Sequence, residues 1–435
     1  MKLPIVCATF LATAVVTAAR PASVVTLAVN GRANATPSIA AIGQVVAVAW
    51  GATMSNRSSG ATDVYVAVSR DAGRRFGPPV RVNDVDGDAS LGGEQPPHVA
   101  LVPRAGREPS IVVVWTAKER GGTRILVARS DNGGASSGRA GPFADGDAAG
   151  NRGWEAIAID RDGQTVAVWL DHRELASAAG KMPPMNHEAH HEGHDHNGSG
   201  AAKADGVARA QLSKLYFSRV GSAQDNGQGR AIAAGVCYCC KTAVAAAPDG
   251  SLYAAWRHVY PGNIRDIAFT VSRDGGRTFA PPLRVSDDHW VLDGCPENGP
   301  GMAVDSRNRV HIVWPTLVNG PSPDAEPALA LFYAVSNDGR GFAPRLRVPT
   351  DGLPRHPQIA MASDDSLVLV WEEQVGGTRR VVMGRARGDR RRFTREIVSD
   401  AGVYPVVASA GGASVVAWTN EAADRSVIHV KRLDD

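Results

Sequence analysis

Short apolar runs recur along the chain, and seven of them close on tryptophan. VVAVAW ends at Trp50, SIVVVW at Trp115, TVAVW at Trp169 and LYAAW at Trp256. VHIVW ends at Trp314, LVLVW at Trp371 and SVVAW at Trp418. Each run is five or six residues, mostly apolar, between polar, Gly-containing segments, the pattern of a buried strand rather than of a helix. The order around each tryptophan is constant. An inner strand such as Met302–Asp305 comes first, then a turn of the Pro-Asp-Gly kind, as at Pro248–Gly250. The tryptophan strand follows, then a variable loop and a third strand such as Ile267–Val271. A tight turn leads into a fourth strand, Leu283–Ser286. Four antiparallel strands repeated radially predict an all-β fold, a seven-bladed β-propeller.

The ends of the chain fit a closed ring. The last unit stops at its third strand, Val427–Val430, and the unattached strand Val25–Val29 stands before the first unit. The first strand is expected to complete the last blade and remove an open sheet edge.

The turn between third and fourth strands has its own signature. It reads Ser69-Arg-Asp-Ala-Gly-Arg-Arg-Phe76 and Ser272-Arg-Asp-Gly-Gly-Arg-Thr-Phe279, with a shortened copy at Ser336–Phe342 and a worn one at Ser130–Gly133. An Asp accepting backbone N–H bonds, a Gly free to adopt positive φ and an aromatic plug suit a tight turn. The structural positions are Ser69, Asp71, Gly73 and Phe76, and Ser272, Asp274, Gly276 and Phe279.

This octet resembles the Asp-box, or BNR, repeat of the sialidase superfamily. The resemblance implies a propeller scaffold and, with it, a glycan-hydrolase or glycan-binding activity. Known sialidases use an arginine trio, a Tyr–Glu nucleophile pair and an Asp acid/base. The early Arg-Ile-Pro signature is absent here, and sialidases have six blades. Arg257, Tyr260, Arg355 and Glu155 are the residues to which catalytic roles are assigned, with Arg265, Tyr404 and Glu372 as further members of such a trio and pair.

Composition adds a compartment and a second chemistry. The chain has 435 residues and a net charge of +3 with His neutral, which gives no reason to expect a nucleic-acid partner. Met1-Lys2, an apolar run to about Val16 and a small-residue stretch read as a secretory signal peptide, 1–22, so a periplasmic or secreted protein without a membrane span is expected. The propeller is assigned to 23–435, as a monomer without an organic cofactor. Four cysteines then remain: Cys237, Cys239, Cys240 and Cys295. Cys237 and Cys295 hold the same position relative to Trp256 and Trp314. Disulfides, including one from Cys237 to Cys295, and a thiolate site for copper or zinc both fit this spacing.

An insertion, 176–209, follows Trp169 as a loop between second and third strands. It carries Met182, Met185, His187, His190, His191, His194 and His196, a set suited to copper. Strand alternation puts this insertion, the cysteines and the loops between blades on one face, opposite the Asp boxes. Trp154, Glu155, His172, Arg173, His258, His356, Glu297 and Asn298 fall on that same face. The two functions expected are therefore transition-metal binding, with copper preferred, and a sialidase-type exo-glycosidase or glycan-binding protein using this face.

Overall fold

A computed structural model describes residues 24–54, 60–144, 150–178, 200–220, 228–319, 326–387, 392–422 and 425–434. The expected signal peptide and the seven Met and His positions from 182 to 196 lie outside these. Among the described residues the strands form seven four-stranded antiparallel sheets, each sequential except the last. That last sheet takes its outer strand, Val24–Leu27, from the N-terminus, paired antiparallel with Arg425–Asp434 in the register Val24↔Lys431 to Leu27↔Ile428. The seven-bladed, ring-closed propeller is thus as the repeat predicts. No described helix is long and apolar enough to cross a membrane.

The repeated tryptophan explains how one blade holds the next. All seven are at most 1 % exposed. Trp50 lies in the apolar cluster between blades 7 and 1, Trp115 between 1 and 2, and Trp169 between 2 and 3. Trp256, Trp314, Trp371 and Trp418 fill the next four junctions in turn. Each blade therefore presents its indole to the preceding blade. An indole buries on the order of 200 Å² of mostly apolar surface, so one residue per repeat supplies much of the junction.

The Asp-box aromatics serve the same junctions. Phe279 of blade 4 meets Phe217 of blade 3 edge-on, with centroids 5.1 Å apart, and Phe342 of blade 5 meets Phe269 of blade 4 at 5.1 Å. The turns hold as their chemistry predicts. Asp71 Oδ1 accepts from Ser69 Oγ and from the Arg75 amide, both at 2.8 Å, and Asp274 Oδ1 accepts from Ser272 Oγ and the Thr278 amide. In the worn copy Asn132 takes the Asp role toward Ser130 and the Ser136 amide.

The ends of the insertion are helical: α1 (Arg173–Ala178) and α2 (Gly200–Leu212). Ala201, Ala202, Ala204, Ala208 and Ala210 give α2 a strong helix-forming composition. Its far end packs on the segments that flank the blade 4 strands, with Val207 and Ala210 against Cys237, Cys240 and Val259.

Candidate functional site

The inner strands of four blades share an irregularity that aims side chains at the channel mouth. The register slips between Ala35 and Ser38, Gly153 and Ala156, Arg355 and Gln358, and Val403 and Val406. At each slip one non-glycine residue holds a left-handed backbone: Thr36 (φ 55°), Trp154 (52°), His356 (48°) and Tyr404 (52°). Such a conformation costs on the order of 1–3 kcal/mol and persists where surrounding structure imposes it, commonly at sites of function.

Three of these residues meet in one cavity of about 680 Å³ on the face opposite the Asp boxes. Trp154, His356 and Tyr404 line it together with Glu94, Arg355, Glu372 and Arg379, and with Gln95, Cys239 and Glu297. A narrower channel of about 190 Å³ continues along the ring axis past His98 and Lys241, and shares His356 and Tyr404 with the cavity.

His356 is the centre of the polar groups. Its Nδ1 lies 3.2 Å from Glu372 Oε1, and its Nε2 lies 3.7 Å from Glu94 Oε1. Its ring lies 4.8 Å from that of Tyr404. Both carboxylates are fixed from behind. Glu94 Oε2 accepts the amides of Lys241 and Gly299, at 2.9 and 2.7 Å. Glu372 Oε2 accepts the Tyr404 amide at 3.0 Å, and Arg379 Nη1 stands 3.8 Å from its Oε1. Burial works against ionised Glu372, but the neighbouring His356 ring, the Tyr404 amide and Arg379 outweigh it, and its pKa is lowered. Tyr404 moves the other way. Burial, then the negative charge of Glu372, raises its pKa, so its phenol keeps its proton. The tyrosine ring lies against Gly93, where any Cβ would come within 2.2 Å of it.

The residues singled out in the sequence fall in several places. Arg355, Trp154, Glu297, Glu372, His356 and Tyr404 come together at the cavity. Arg257 is buried and donates to the carbonyls of Asn298, Arg265 and Pro315. Arg265 donates to Leu292 O, Asn263 Oδ1 and Cys237 Sγ. Tyr260 is packed under Arg284, 3.8 Å from its ring, and beside His258. His258 takes the indole N–H of Trp256, and burial lowers its pKa to about 4. Glu155 is fully buried on Thr116 Oγ1. His172 is buried beside Trp154, and Arg173 grips Asp171 with Nε and Nη2 while lying over Tyr216. Glu94 and Arg379 were not singled out. Glu94 lies in a connector that carries no repeat landmark. Arg379 follows the Gly376-Gly377 turn of blade 6, and that turn does lie on the cavity face.

The cysteines gather beside the cavity. Cys239 and Cys295 are joined, with Cα atoms 6.3 Å apart, while Cys237 and Cys240 are buried thiols. The bridge thus joins Cys295 to Cys239 rather than to Cys237. A hydrogen bond from Cys240 lowers the Cys237 pKa to about 6, with Arg265 and Arg257 adding to the effect against burial. Burial raises that of Cys240.

The sequence matches no protein-family model and no curated protein. Solved structures share the fold. A polysaccharide lyase of family PL25, an ulvan lyase, superposes with a TM-score of 0.54 at 9 % identity over 93 % of this chain and 94 % of that one. The polysaccharide lyase Uly1 gives 0.52 at 10 % identity, over 92 % and 90 %. A protein of unknown function from Dyadobacter fermentans gives 0.52 at 13 %, over 95 % and 98 %. The propeller implied by the sialidase-like turns is present, but the structural likeness is not specific to sialidases.

Proposed function

We propose that this chain cleaves an acidic polysaccharide at the cavity around His356, by β-elimination next to a uronic acid. The observation that carries the reading is the pairing of His356 with Tyr404, both on left-handed backbone and within contact distance, flanked by two fixed carboxylates and an arginine. In elimination a base removes the proton α to the sugar carboxylate, and the C4–O bond breaks to leave a carbon–carbon double bond. The leaving oxygen takes a proton, and no water is consumed. His356 is the base, oriented by Glu372 and Glu94. Tyr404 is the acid, since its raised pKa keeps the phenol protonated. Arg355 and Arg379 hold the substrate carboxylate and stabilise the charge that develops on it. That two polysaccharide lyases share the scaffold supports glycans as the substrate class at the level of fold alone.

Sialoside hydrolysis is less well served. Of the arginines expected to form a trio, only Arg355 lines the cavity; Arg257 and Arg265 are committed to carbonyls and sulfur.

The test is digestion of a panel of uronate-containing polysaccharides, followed by ultraviolet absorbance for the unsaturated product and by a reducing-end assay. Both signals are expected to rise together. Tyr404→Phe and His356→Ala should each lose about 10²–10⁴-fold in kcat with little change in substrate binding. Reducing ends without the unsaturated product would mean hydrolysis and overturn elimination. No product from any acidic polysaccharide would overturn the reading altogether.

A further inference from the structure

Four sulfurs and two buried arginines form a second constellation next to the cavity. Cys237, Cys239 and Cys240 lie in the connector that enters blade 4, and Cys295 lies in the equivalent connector entering blade 5. Their four Sγ atoms all lie within 4.8 Å of one another. Cys237 Sγ is 3.7 Å from Cys239 Sγ and 3.8 Å from Cys240 Sγ. A tetrahedral ion with metal–sulfur bonds of about 2.3 Å sets its sulfurs about 3.8 Å apart. Two edges of such a tetrahedron are therefore already present.

Charge points the same way. Arg257 and Arg265 are 1 % and 0 % exposed. Their donors go to carbonyls, to an amide oxygen and, from Arg265 Nη1 at 3.0 Å, to Cys237 Sγ. Among the described residues neither has a carboxylate within ion-pair distance. Two cations out of water need negative charge close by. Thiolates are the groups placed to supply it. A divalent ion with four thiolates carries a net charge of −2, which the two guanidiniums balance. Val207 and Ala210 of α2 cover the buried pair of thiols, and Cys239 opens onto the cavity, which gives an entry path.

We propose that the reduced tetrad, Cys237, Cys239, Cys240 and Cys295, binds one tetrahedral thiophilic divalent cation of the Zn(II) class, with Arg265 as the donor to its Cys237 ligand. The Cys239–Cys295 bond is the other closure of the same four sulfurs. A two-electron reductant, a dithiol or a phosphine, opens it, and each sulfur takes a proton. Zn(II) then displaces four protons from four thiols and forms four Zn–S bonds.

Full-length protein is reduced with a phosphine under anaerobic conditions, loaded with Zn(II), dialysed and analysed for metal and reactive thiol. One tightly held zinc is expected, with four thiols that react only after chelation. Co(II) in its place should give the thiolate charge-transfer and visible bands of a tetrahedral tetrathiolate. That band separates the tetrad from the histidines between 187 and 196, which give no sulfur transition. Cys237→Ser leaves three sulfurs and should weaken the charge-transfer band by about a quarter and shift the visible bands, while Cys7→Ser leaves both unchanged. Arg265→Gln leaves every sulfur in place and should weaken zinc about 10–100-fold. Reduced, folded protein whose four thiols stay reactive with zinc present, or whose cobalt spectrum lacks the sulfur band, overturns the proposal. The readout is metal and thiol content, so it stands or falls separately from polysaccharide cleavage.

Discussion

Trp154 and Glu155 are neighbours in sequence with opposite surroundings. Trp154 lines the cavity, whereas Glu155 is fully buried, accepts from Thr116 Oγ1 at 2.9 Å and leaves its Oε1 without a described partner. Burial raises its pKa from 4.5 to about 7. Between those two values the folded chain holds a proton that the unfolded chain has released. Its contribution to stability is therefore complete below about pH 4.5 and is lost as pH rises through about 7. His98 and His172, whose pKa values burial lowers to about 4, act in the opposite sense, gaining stability as pH rises. They are unchanged in Glu155→Gln, so the comparison isolates the carboxyl. The variant should gain on the parent by on the order of 2–3 kcal/mol between pH 4.5 and 7.5, read from denaturant midpoints at each pH. A constant difference across that range would mean that Glu155 ionises as freely folded as unfolded. At this scale the sequence is informative where blade phase fixes a residue's face. His356, Tyr404 and Arg355 are legible because each stands at the start of an inner strand. The sulfur pairing is not, because it depends on how two irregular connectors coil against each other.

The Asp-box turn is both a local fold and a contact between blades. In blade 4 the Ser272 Oγ accepts the Gly276 amide at 2.7 Å, which brings Gly276 against Phe217 of the blade before. Gly276 has φ +85°, and a Cβ there would lie 2.5 Å from the Phe217 ring. Phe217 is itself locked between Phe279 and the guanidinium of Arg230. Gly276→Ala therefore meets both backbone strain and a neighbour with little room to move, and should cost about 1–3 kcal/mol. Gly141→Ala is the control, since a Cβ there would meet nothing within 4 Å and its φ is ordinary; a change within about 0.5 kcal/mol is expected. Equal midpoint shifts for the two variants in urea would show that the turn is not coupled to the junction. The octet is readable from sequence because its hydrogen bonds are local. The blade that its aromatic plugs is not, because that partner lies a full repeat away.

Across the whole molecule, seven similar sheets arranged in a ring leave one seam, and the chain closes it with its N-terminal strand. The seam follows from arithmetic on the repeat: a last unit one strand short and a first strand without a unit. Alternation along the chain also fixes which loops share the cavity face, without any knowledge of side-chain contacts. What alternation cannot supply is distance, so it assembles a face but not the His356 site within it. The seam itself makes a sharp test. Leu27 is buried in the cluster between blades 7 and 1, and Val24–Leu27 covers the backbone of Ile428–Lys431. A chain beginning at residue 28 loses this strand pairing and the Leu27 side chain, a combined loss of at least about 3 kcal/mol, since a buried leucine alone accounts for about 2–5. Hydrogen exchange should quicken first at Val427–Lys431 and then spread to both flanking junctions, because each blade is held mainly by its neighbours. The exposed edge should also promote self-association in sedimentation experiments. A synthetic peptide spanning 24–30, added in trans, should restore both the melting temperature and the protection by filling the vacant strand position. Unchanged melting and unchanged exchange at Val427–Lys431 in the shortened chain would show that the ring is held shut by its junctions alone.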